Sequence, residues 1–153
     1  MIRGKQTALM EGTEDHVGYW ITPKPLMETL EAEFHFTDDV CPYPRPAGFD
    51  GLREPWGARN WCNPPFERGN GVMAWVRKAI AENAAGKLCV VILSVNQIEH
   101  ATGAMLAAGA EARLLPPIAW VNPAGESNPR AHPAVLFILR PKPATLDPPS
   151  TTL

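Results

Sequence analysis

Leu88-Cys89-Val90-Val91-Ile92-Leu93 is an unbroken apolar run. Such a run directly after a helix predicts a strand covered on both faces, the habit of strands in a parallel sheet. The helix is predicted over about Val72 to Ala85. There Val72, Val76, Ala79, Ile80 and Asn83 share one side, while Arg77, Lys78 and Glu82 lie toward the other. Gly69-Asn70-Gly71 supplies a breaker and an N-cap candidate before this helix, and Gly86 suits the left-handed position after it.

Working outward, the same alternation continues on both sides. Ala58 to Cys62 is a short strand candidate, and Asn63 stands at its C-terminal end. Phe34 to Val40 alternates aromatic and polar residues and predicts a strand ending in Asp38 and Asp39. Before it, Thr22 is a candidate N-cap and Pro23 a candidate first helical residue. Leu26, Met27, Leu30 and Phe34 form that helix's apolar stripe, with Glu28, Glu31 and Glu33 mostly opposite. Downstream, Asn96 is a candidate cap for a helix from about Gln97 to Ala108, stopped by Gly109. Ala112 to Leu115, Ile118 to Val121 and Ala134 to Leu139 are further strand candidates, with a polar loop over Asn122 to Pro133. Strands alternating with helices predict a compact α/β domain with a mainly parallel sheet. Its boundaries are read as an N-terminal arm over residues 1–17, the domain over 18–140 and a Pro-rich flexible tail over 141–153. In open sheets of this kind the site lies at the C-terminal ends of the strands. Asp39, Asn63 and Ser94 to Gln97 are the residues placed there.

The totals narrow the class. The chain has 153 residues, enough for one domain with a real core, and a formal charge of −2. That charge supplies no global basic field of the kind that drives nucleic-acid binding. Cys41, Cys62 and Cys89 are odd in number and far apart, which suggests neither a metal site nor a disulfide framework. His16, His35, His100 and His132 show no metal-ligand spacing. No signal segment or membrane-length apolar run is recognisable, so a reducing, intracellular setting is expected.

The most informative loop is Asn60-Trp61-Cys62-Asn63-Pro64-Pro65-Phe66. Asn63 and Pro64 each precede a proline and are pushed into extended geometry. The stiff bend leaves the Asn63 carboxamide and the Pro64 carbonyl free to accept the hydrogens of an NH2 group, and Phe66 can stack on its ring. Two acceptors on such an amine favour a more pyramidal, more nucleophilic nitrogen. Orientation and electrostatics would then do most of the catalysis of a methyl transfer, with no acid, metal or covalent intermediate. Asp39 suits a cationic or hydroxyl-bearing cofactor, and Asp50 could accept from an exocyclic amine.

These residues carry a resemblance. Trp61-Cys62-Asn63-Pro64-Pro65-Phe66 resembles the (D/N/S)PP(Y/F) motif of amino-group, S-adenosylmethionine-dependent DNA methyltransferases. More narrowly, the chain resembles the small phage-encoded DNA adenine N6-methyltransferases over roughly residues 19–140. Trp20-Ile21-Thr22-Pro23 is similar to their first cofactor motif, and Phe36-Thr37-Asp38-Asp39-Val40-Cys41 to their strand ending in an acid. Asp50-Gly51-Leu52, Trp56-Gly57 and the Asn-Pro-Pro-Phe bend follow in their order, and Trp75-Val76-Arg77-Lys78-Ala79 fits their W-V-x-K-A pattern.

The resemblance implies a Rossmann-like methyltransferase fold that takes S-adenosylmethionine and methylates adenine N6 in DNA, in a bacterial host cytoplasm. The DNA adenine would be flipped out or taken from a single strand. It implies cofactor-binding roles for Tyr19, Trp20, Thr22, Pro23, Asp39 and Asp50. Asn63, Pro64, Pro65 and Phe66 would be catalytic. No separate target-recognition domain is expected, and Arg45, Arg53, Arg59, Arg68 and Arg130 are the candidates for a DNA-facing patch. Cys41-Pro42-Tyr43-Pro44 stands where methyltransferases generally carry a glycine-rich turn, and no acid between Val40 and Phe49 can hold the ribose. Two alternatives follow: the same chemistry on cytosine N4, a nucleotide or a protein glutamine, or an inactive remnant that binds nucleic acid or protein.

Overall fold

The apolar run at residues 88–93 forms the middle of the molecule. In a computed structural model, which describes residues 19–65 and 71–143, it belongs to a strand whose every residue is buried. In chain order the elements are α1 (Lys24–Phe34), β1 (Asp38–Asp39), β2 (Arg59–Cys62), α2 (Gly71–Ala84), β3 (Leu88–Ser94), α3 (Ile98–Ala107), β4 (Glu111–Ile118) and β5 (His132–Leu139). A 3-10 turn, Val95–Gln97, joins β3 to α3. The expected arm and most of the expected tail lie outside the described residues.

The side chains of β3 point alternately to two cores, as the pleat requires. Cys89, Val91 and Leu93 pack with Val72, Val76 and Ala79 of α2 and with Ala101 and Met105 of α3. Leu88, Val90 and Ile92 pack with Leu30 and Phe34 of α1 and with Trp120. The sheet is therefore covered on both faces, which is why β3 carries no polar alternation.

The five described strands form one sheet in the order β1-β2-β3-β5-β4. β1 pairs with β2, and β2 with β3, in parallel. The expectation of a mainly parallel sheet is corrected on the other half, where β5 runs antiparallel to both β3 and β4. The sheet is mixed because the chain leaving β4 turns back through bridges at Ile21–Val121 and Val121–Ser127 and re-enters between β3 and β4. An apolar run such as Ala134 to Leu139 announces a buried strand but carries no mark of its direction.

Four local expectations are also corrected. Thr22 does not cap α1; Pro23 occupies the cap position without a side-chain cap bond, and its carbonyl accepts from the Met27 amide. The strand expected over Phe34 to Val40 shrinks to Asp38–Asp39, because α1 runs through Phe34 and His35 ends it at φ 50°. Asn96 is not the cap before α3; Ser94 and Gln97 form a reciprocal capping box one turn earlier. Of the two strands expected over Ala112 to Leu115 and Ile118 to Val121, the first extends through Pro116 and Pro117 to Ile118 with a shift in register, and the second does not form: Val121 makes only isolated bridges. The extended strand lies at the sheet edge, where prolines are tolerated.

Candidate active site

Three parallel strands deliver their C-terminal ends to one edge. Asp39 sits opposite Trp61, Cys62 sits opposite Val91, and Ser94 closes β3. Asn63 follows Cys62 directly, so the Asn-Pro-Pro bend leaves the sheet at this edge. A cavity of about 130 Å³ opens there. Tyr19, Trp20, Thr22, Asp39, Asn63, Pro64 and Pro65 all line it, so seven of the ten residues singled out in the sequence come together. Pro23 does not line it and serves as the cap of α1. Phe66 lies outside the described residues.

The Asn63 carboxamide is held by its nitrogen. Nδ2 donates to the Trp20 carbonyl at 2.7 Å and to the Thr22 hydroxyl at 3.3 Å. A carbonyl can only accept, so the amino side of the amide must face Trp20. Oδ1 then points the other way, where it is buried and has no hydrogen-bond partner among the described residues. An unsatisfied buried acceptor costs on the order of 1–3 kcal/mol. A ligand N–H that met Oδ1 would recover that cost. The Trp20 carbonyl is itself fixed from outside the site, because Ile21 exchanges backbone hydrogen bonds of 2.7 and 3.0 Å with Val121.

Asp39 contributes a carboxylate in a poorly hydrated place. Burial pushes its pKa up to about 6, and the Cys41 amide N–H, donating to Oδ1 at 3.0 Å, acts in the opposite sense. Such a group gains from a cation or a hydroxyl donor brought beside it. The neighbouring Cys62 thiol is pushed well up by burial, and Cys89 up to about 12, so neither is a nucleophile at neutral pH.

Asp50 borders a second cavity, of about 240 Å³, together with Arg45, Phe49 and Trp75. The two cavities share Tyr19, Cys41 and Pro65. Neither reaches the ~300–1,000 Å³ usual for small-molecule sites, whereas the joined pair does. The Asp50 carboxylate is engaged locally: Oδ1 accepts from the Leu52 amide at 3.0 Å and Oδ2 faces Arg53 Nε at 3.3 Å. This is the turn role that an Asp before a Gly commonly fills. Gly51 is required here, since a Cβ would sit 1.9 Å from the Val40 carbonyl and 3.1 Å from the Trp75 ring.

The expected patch of arginines is not assembled. Arg59 turns inward, its Nε donating to the Phe34 carbonyl at 2.6 Å, and Arg53 pairs with Asp50. Arg45 and Arg130 are exposed, and Arg68 lies outside the described residues. The sequence reading missed Tyr43, which lines the first cavity with its ring 5.0 Å from that of Tyr19, and Trp75 in the second. Ser94 and Asn96, expected at this edge, line a third cavity of about 180 Å³ with Trp20, Asn128 and two residues the sequence did not mark for it, Trp120 and His132. No periodic pattern marks loop residues that converge only in the fold.

Among the described residues no cluster of three metal-ligating side chains occurs, and no helix is long and apolar enough to cross a membrane. No protein-family model matches the chain, and no curated protein matches its sequence.

Proposed function

We propose that this protein is a methyltransferase that moves the methyl group of S-adenosylmethionine to the N6 amino group of adenine in DNA. The observation that carries the reading is the Asn63 carboxamide, anchored through its nitrogen and presenting a buried, unpartnered oxygen beside the cavity. An aromatic amine is the partner that fits: it donates two hydrogens, and Oδ1 with a nearby main-chain carbonyl can accept both. Drawing on those hydrogens localises the nitrogen lone pair, which is otherwise delocalised into the ring. The cofactor supplies an electrophilic methyl on a sulfonium sulfur: the lone pair forms the C–N bond as the C–S bond breaks, the bonding pair stays on sulfur, and the amine proton leaves to solvent. Asp39 would attract the positively charged half of the cofactor, and the Tyr19–Tyr43 pair would wall it. The joined cavities are of a size for such a ligand, with the ordered motif set of residues 19–79 as further support.

The test is methyl transfer from labelled S-adenosylmethionine to separate pools of adenine-containing DNA, free nucleotides and protein. Label in DNA that is recovered as N6-methyladenine supports the reading; no label in any pool sinks it.

A second reading keeps the chemistry and changes the substrate to a cytosine, a nucleotide or a glutamine amide. The inward turn of Arg59 and the pairing of Arg53 favour it, since both weaken the case for a phosphate-binding face. Label in the nucleotide or protein pool alone would select it.

A further inference from the structure

Thr22 has the sequence signature of a helix cap, yet it caps nothing. α1 begins one residue later than that signature implies, and its cap position has no side-chain hydrogen bond. Thr22 is instead 6 % exposed and borders the first cavity, and its hydroxyl accepts the second hydrogen of Asn63 Nδ2. We propose that Thr22 is a positioning residue: it fixes the tilt of the Asn63 carboxamide so that Oδ1 stands ready for the substrate amine. This rests on the methyltransferase reading and assigns Thr22 to the substrate half of the site rather than to cofactor contact.

The division of labour follows from hydrogen-bonding capacity. The Trp20 carbonyl excludes the flipped amide, because a flip would set two acceptor oxygens face to face. One bond, however, leaves the amide free to swing about that contact. The second, to Thr22 Oγ1, removes the swing by committing both amide hydrogens. Thr22 is buried, so water cannot readily replace its hydroxyl. The chain holding Thr22 is itself clamped, since the adjoining Ile21 pairs with Val121 through two backbone bonds. Tilt matters because a small misplacement of a group that orients the reacting atom can cost on the order of a hundredfold in rate.

The experiment compares the full-length chain with Thr22→Val and Thr22→Ser. Turnover is measured on a single-stranded oligonucleotide containing adenine, S-adenosylmethionine binding by calorimetry, and the Asn63 side-chain amide by 15N NMR. Thr22→Val should lower kcat by about tenfold to a hundredfold, leave cofactor Kd unchanged, and shift both Asn63 amide protons with faster exchange. Thr22→Ser, which keeps the acceptor, should restore most of kcat and the original amide signals. Weaker cofactor binding at unchanged kcat would overturn the proposal in favour of a cofactor contact. Asn63 amide signals that do not move in Thr22→Val would overturn it on geometry alone. Absence of turnover by the unaltered protein on any amine would instead fail the methyltransferase reading, and the NMR comparison would still decide whether Thr22 holds the amide.

Discussion

Asn63 is where a single atom matters most. Replacing it with Ala removes the unpartnered acceptor while leaving the Pro64-Pro65 bend, so methyl transfer should fall by at least about a hundredfold. Cofactor binding should persist, which calorimetry on the same sample would establish; comparable turnover in that variant would refute the role. Asp39 sets a pH signature. Its folded pKa, about 6, lies above its ordinary 3.8. The unfolded chain therefore ionises first, and stability is lost as pH rises from about 4 through 6. Asp39→Asn keeps an oxygen for the Cys41 amide and removes that cost. It should stabilise the ligand-free protein by up to about 3 kcal/mol at pH 7.5 and by almost nothing at pH 3.5. Urea unfolding at the two pH values checks this, and an equal gain at both would show that the cost is not ionisation. Asn63 was legible in the sequence as an acceptor in a stiff bend. Which of its two amide ends is anchored and which is left without a partner was not, because the Trp20 carbonyl that decides it is 43 positions away along the chain.

At the scale of elements, α2 shows both the reach and the limit of periodicity. Val72, Val76, Ala79 and Asn83 face the core as their spacing predicts. Glu82, assigned by the same spacing to the solvent side, is only 8 % exposed. It forms ion pairs with Lys78 and Lys87 and accepts from the Trp56 amide, so the helix carries a charge inward. Burial alone would raise its pKa; the two ammonium donors and the Trp56 N–H more than offset this and hold it below 4.5. Glu82→Gln leaves two ammonium groups without their counter-charge and should cost roughly 2–3 kcal/mol at pH 7, less than a fully buried pair because both lysines keep some solvent. A depressed carboxylate pKa means that the stability is present above about pH 4.5 and fades as pH falls through the folded value. The gap between the two proteins in chemical denaturation should therefore narrow by pH 3; a constant gap would point to packing instead. Asn83 is the next residue in the same last turn. Its Nδ2 reaches the carbonyls of Lys87, Leu139 and Arg140 and ties α2 to the ends of two connected segments. The Lys87 carbonyl is a local partner four residues on, whereas the carbonyls of Leu139 and Arg140 come only with the arrival of β5.

The whole molecule is a mixed sheet between two helical layers, with the proposed site on the edge where three parallel strands end. The two cavities lie on this edge and meet at Tyr19, Cys41 and Pro65, residues drawn from three separate segments. A ligand spanning them would bind the folded chain alone. S-adenosylmethionine at a hundred times its Kd should then stabilise the protein by about 2.7 kcal/mol, which is roughly 5–10 °C in Tm for a chain of this size. A thermal melt with the cofactor and with its demethylated product measures it directly, and no shift at high concentration would favour the inactive-remnant alternative.

By itself the sequence determined what periodicity and local stereochemistry can carry. The buried strand at residues 88–93, the three main helices and the stiff bend after Asn63 are each specified by neighbours within a few residues. So is the convergence of Asp39 and Asn63, because the two parallel strands they terminate must end on one side. Tertiary structure decided the direction of β5, the inward turn of Arg59 and Glu82, the release of Thr22 from its capping role and the orientation of the Asn63 amide. All of these depend on contacts made by residues distant in the chain. Local patterns record which surface of an element is apolar; they do not record which partner arrives to use its polar groups.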